Sequence, residues 1–95
     1  MNKMADAKVI KLNRRFKLYK EYGMEHAIRF DGWTTHAGKV EAFMREHFGS
    51  EYLWNNQSQW KTHWSKASGR GNVRPFFIGV KDEEMIFTAK LAGVI

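Results

Sequence analysis

A chain of 95 residues, 43% apolar and 15% aromatic, has enough hydrophobic surface to fold as one small domain and is too short for two. The absence of Cys excludes disulfides, thiolate zinc sites, iron–sulfur clusters and a cysteine nucleophile. Sixteen Lys and Arg against ten Asp and Glu give a formal charge of +6, which suits a polyanionic partner and suits plain solubility as well.

Residues 1–7 read as a flexible N-terminus and residues 8–95 as a single α+β domain. The N-terminus has no apolar run of signal-peptide length, and no stretch approaches the roughly 20 residues of a membrane helix. A cytoplasmic protein with no membrane partner is therefore expected. Val9, Ile10 and Leu12 form a short apolar patch. Phe16, Leu18, Lys20 and Tyr22 then alternate as in a half-buried strand. A helix over 13–22 is the alternative, because Arg15, Phe16, Tyr19 and Lys20 also recur at helical spacing. Gly23 ends either element. His26, Ile28 and Phe30 alternate again and predict a strand over 26–30, paired back on the first. Asp31-Gly32 marks a turn or strand end.

Residues 35–48 carry the clearest helical pattern, with Ala37, Val40, Phe43, Met44, His47 and Phe48 on one broad face. Thr34 or Thr35 supplies the N-terminal cap, and Gly49 suits the position after the last turn. At roughly 21 Å such a helix is too short to stand alone and needs a sheet beneath it. Residues 50–67 are ambiguous. From Gln59 a strand is favoured over a helix, with Trp60, Thr62 and Trp64 on one side and Lys61, His63 and Ser65 on the other. Ser68-Gly69-Arg70-Gly71-Asn72 reads as a loop, the best candidate for a mobile segment. Phe76, Ile78 and Val80 alternate, as do Met85, Phe87, Ala89 and Leu91, so two strands across the polar link 81–84 predict a hairpin. The competing reading is a helix beginning near Asp82, with Glu83 and Glu84 at its positive end. The predicted architecture is an antiparallel sheet of four to five strands with one main helix, about 35–48, packed on one face. If residues 82–90 are helical, a ferredoxin-like βαββαβ order is the alternative.

The charge excess sits in two blocks. Residues 1–20 carry seven Lys and Arg against Asp6 alone, and residues 51–74 carry four against Glu51. The second block interleaves aromatic rings with cations, the composition that stacks unpaired bases and neutralises phosphates. The expected function is that of a small basic nucleic-acid-binding accessory protein without catalysis. Lys11, Arg14, Arg15, Lys17, Lys61, Arg70 and Arg74 would engage phosphates of a single strand or another polyanion, and Trp54 and Trp60 would stack. The bland reading of Trp60 and Trp64 is that they fill the core. Gly69 to Asn72 matches no phosphate-loop pattern.

The four histidines His26, His36, His47 and His63 lie at long spacings, and neither a metal nor a cofactor is expected. His47 in the last helical turn also suits the negative helix end. No paired carboxylates or nucleophile elbow point to catalysis. Tyr19, Phe77 and Ile86 fall opposite the buried parity of their predicted strands. They motivate the rival function, a homo-oligomeric interaction or assembly module.

Overall fold

A computed structural model describes residues 7–51, 58–65 and 74–95. In chain order the elements are β1 (Ala7–Lys11), α1 (Lys17–Tyr22), β2 (His26–Phe30), α2 (Thr35–Phe48), β3 (Trp60–Trp64), β4 (Phe76–Val80) and α3 (Glu83–Leu91). The strands form one antiparallel sheet in the order β1-β2-β4-β3, so the domain is α+β with helices packed on a four-stranded sheet. The chain order is βαβαββα rather than the ferredoxin-like βαββαβ: the βαββα run from β2 to α3 is preceded by β1 and α1, and β1 takes the sheet edge beside β2.

Each face of the sheet has its own apolar layer, set by alternation along the strands. One face carries Ile28, Phe30, Trp60, Phe76, Ile78 and Val80 and packs against Ala37, Val40, Phe43 and Met44 of α2 and Met85, Ile86 and Ala89 of α3. Full burial of such side chains contributes about 1.5–3 kcal/mol each. α2 runs over 35–48 as its periodicity predicts, and its N-terminus is capped by the Thr34 hydroxyl, which accepts from the Ala37 N–H at 3.1 Å. The opposite face is covered over part of its area by α1 and its flanks: Leu12, Leu18 and Met24 pack on Ala27 and Phe77, with Ile10, Phe16 and Tyr22 alongside. Gly79 makes this approach possible, since a Cβ there would stand 2.9 Å from Leu18 Cδ1.

Three predicted elements differ from what forms. Residues 16–22 contain the helix α1, closed by Gly23 in the left-handed conformation (φ 71°), whose N–H donates to the Tyr19 carbonyl at 3.0 Å. The first strand lies earlier, at 7–11, within and just after the segment read as a flexible terminus and an apolar patch. Residues 85–91 belong to α3, not to a hairpin strand. Asp82 starts this helix, its carboxylate accepting the Glu84 N–H at 3.0 Å. β3 forms where a strand was favoured. It is a sheet edge, and buried Glu51 accepts from the Thr62 N–H at 3.1 Å and the Thr62 hydroxyl at 2.8 Å, which occupies a backbone donor on that edge.

Candidate functional site

On the sheet face away from α2 and α3, the register sets Lys8, Arg29, Phe77 and His63 side by side across all four strands. The next rung on that face holds Ile10, Ala27, Gly79 and Lys61, and α1 lies across it through Leu18. The chain entering α1 therefore forms a wall beside the cationic rung. Between that wall and the β3–β4 edge opens a cleft of about 570 Å³ lined by Arg15, Phe16, Lys17, His63, Trp64, Ser65 and Phe77. No carboxylate belongs to this described lining.

The floor of the cleft is aromatic. Phe16 meets Phe77 edge-on, with ring centroids 5.9 Å apart, and His63 lies nearly parallel to Phe77 at 6.4 Å. Burial, and then the charge of Lys17, pull the His63 imidazole below its ordinary pKa, with Glu21 opposing. At neutral pH His63 is thus an uncharged, stackable ring with hydrogen-bonding nitrogens. Arg74 lies beside the end of β3. Its Nε–H donates to the Ser65 carbonyl at 3.1 Å, and its guanidinium lies 5.2 Å from the Trp64 ring centroid. Arg29 reaches Asp31 at 3.6 Å, a solvated pair that holds it only weakly.

The structure sorts the sequence-derived candidates. Arg15 and Lys17 are exposed and share the cleft, whereas Arg74 is exposed and engages Ser65 and Trp64 at the end of β3. Lys11 and Arg14 are exposed but line a different cleft, of about 620 Å³, with Leu12, Asn13, Tyr19 and Glu25. Lys61 is committed elsewhere: its ammonium donates to the Glu51 carbonyl at 3.2 Å and lies 4.9 Å from the Tyr22 ring centroid. Trp60 is wholly buried, and its indole N–H donates to the Gly49 carbonyl at 2.8 Å, so it cannot stack on a base. Trp64 is 39% exposed and lies on the sheet face opposite His63, its ring centroid 4.9 Å from that of Phe76. Trp54, Arg70 and the glycine loop around it lie outside the described residues.

The residues chosen for an oligomer interface are mostly internal. Phe77 is buried because Phe16 and the start of α1 cover it, and Ile86 is buried because its segment is helical and turns it onto the core. Tyr19 is part-exposed on α1 rather than on a strand. Sequence reasoning missed Lys8, Arg29 and Phe77 as parts of the cationic rung. They are far apart in the chain, and only the register brings them together. Among the described residues no group of three His, Asp or Glu could hold a metal ion. His36 bonds the Val94 carbonyl, and His47 donates to the Phe43 carbonyl at 3.1 Å while stacking on its ring. No helix among the described residues is long and apolar enough to cross a membrane. No protein-family model, curated protein or solved structure matches the chain.

Proposed function

We propose that the protein binds single-stranded nucleic acid, with the cleft beside α1 as its contact surface and without catalysis of its own. The observation that carries this reading is the pairing of Arg15 and Lys17 with an aromatic floor of Phe16, His63 and Phe77 in one opening that has no carboxylate in its described lining. Cations neutralise phosphates, and the His63 ring offers a face to an unpaired base, worth about 1–3 kcal/mol per base. A duplex hides those base faces and gains nothing from the aromatic floor.

The test is titration of mixed-sequence oligonucleotides at several salt concentrations. Affinity should fall linearly on a log–log plot, and Arg15→Ala with Lys17→Ala should flatten the slope by roughly 1.4 for two lost phosphate contacts. Ligand should quench tryptophan emission, and Trp64→Phe should remove much of that quenching. No binding at low salt would end this reading.

A second reading, self-association, is favoured by one observation. Phe87 and Leu91, one helical turn apart on α3, are 66% and 87% exposed. Light scattering that finds a multimer dispersed by Phe87→Glu supports it, and a monomer at high concentration removes it.

A further inference from the structure

The turn before α1 divides two openings. Asn13 builds it: its carbonyl accepts the Phe16 N–H at 3.0 Å, and its side-chain oxygen accepts the Arg15 N–H at 2.9 Å. This closed turn projects Arg14 and Arg15, both exposed, from its two central positions. Arg15 lines the aromatic cleft, while Arg14 lines the second cleft with Lys11 and part-exposed Tyr19. Their α-carbons are about 3.8 Å apart, so the two openings meet at this turn. Each opening pairs two cations with an aromatic ring, and the second also holds Glu25.

We propose, resting on the nucleic-acid reading above, that the second cleft is a further subsite for the same strand. The ligand is then an extended single strand that crosses the Asn13–Phe16 turn, with phosphates on Arg14 and Arg15 at the crest. Its bases stack on the cleft floor on one side and on Tyr19 on the other. Glu25 limits affinity in the second subsite by repelling phosphate. A mononucleotide fills one opening only and forgoes the gain of linked contacts.

The experiment is anisotropy titration with labelled oligothymidylates of about three and about twelve nucleotides, against inorganic polyphosphate as competitor. Wild-type protein should prefer the longer strand by on the order of a hundredfold, beyond the roughly tenfold that the extra binding registers supply. Lys11→Ala with Arg14→Ala should remove most of that excess and leave the short strand's affinity nearly unchanged. Arg15→Ala with Lys17→Ala should weaken both lengths. Glu25→Gln should tighten the long strand alone. These are exposed side chains, so the variants should fold.

The subsite is overturned if the Lys11/Arg14 variant binds the long strand like wild type, or if length preference stays within the register count. The underlying reading fails separately, when neither length binds at low salt. Polyphosphate that matches the long oligonucleotide in affinity would make this a general polyanion groove and overturn the role of the bases.

Discussion

At the scale of single residues, the two ends of β3 have opposite fates. Trp60 and Trp64 share one side of the strand, yet Trp60 is buried with α2 while Trp64 is part-exposed beside Arg74. Trp60→Phe should cost about 1–3 kcal/mol through lost volume and the lost bond to Gly49, whereas Trp64→Phe should change stability by less than about 0.5 kcal/mol. Urea midpoints for the two variants check this, and equal shifts would refute it. His63 makes a second residue-level prediction. Its pKa in the folded chain is lowered, so the unfolded chain holds the proton more tightly. Its contribution to stability is complete above the ordinary histidine pKa of about 6.5 and is lost as pH falls below that value. An anion placed over Lys17 and His63 favours the imidazolium, so ligand affinity should rise as stability falls, over the same pH range. Both trends should flatten in His63→Gln, measured by denaturation and binding between about pH 5 and pH 7.

At the scale of elements, legibility followed length and burial. The fourteen residues of α2 give helical periodicity four turns in which to show itself, and both ends carry recognisable caps. The six residues of α1 do not. Leu18 and Tyr22 are four apart, which satisfies a period of two as well as 3.6, so strand and helix look alike over so short a span. α3 is misread for the same reason, with Met85 and Ala89 four apart on its buried side. β1 leaves no alternation to read, because an edge strand with Lys8, Val9 and Lys11 all exposed lacks a cleanly buried side. The placement of α1 depends on Gly79, which no pattern in the sequence singles out. Gly79→Ala should push Leu18 and Met24 outward and cost about 1–3 kcal/mol. Because α1 walls the cleft, ligand affinity should fall with it. Leu18→Ala in the Gly79→Ala background should cost less than Leu18→Ala alone, since the added methyl fills part of the space left behind. Additive losses in a denaturation cycle would show that the two groups do not compete for the same volume.

At the scale of the whole molecule, the net charge of +6 is less informative than where the fold puts it. Arg15 and Lys17 were readable as candidates from their crowding in the N-terminal block. The setting of Arg29 and His63 on either side of Phe77 was not, because it arises from strand pairing between residues some 50 positions apart and less. The outcome is a face on which like charges gather around an apolar floor, while Glu21 and Asp31 offer only partial compensation. Such a face repels itself in the free protein. Salt that shortens the screening length to about 10 Å at 0.1 M should relieve that repulsion and also weaken the hold on a polyanion. Stability and affinity should therefore move in opposite directions as sodium chloride rises from about 0.01 to 0.2 M. Arg15→Ala with Lys17→Ala should be more stable than wild type at low salt, by a few tenths to about 1 kcal/mol, and this advantage should shrink as salt rises. Urea melts at both ionic strengths decide the matter. A wild-type midpoint that drops as salt is added would mean that attractive pairs, not clustered cations, dominate the surface, and that this face is not held in reserve for a charged ligand.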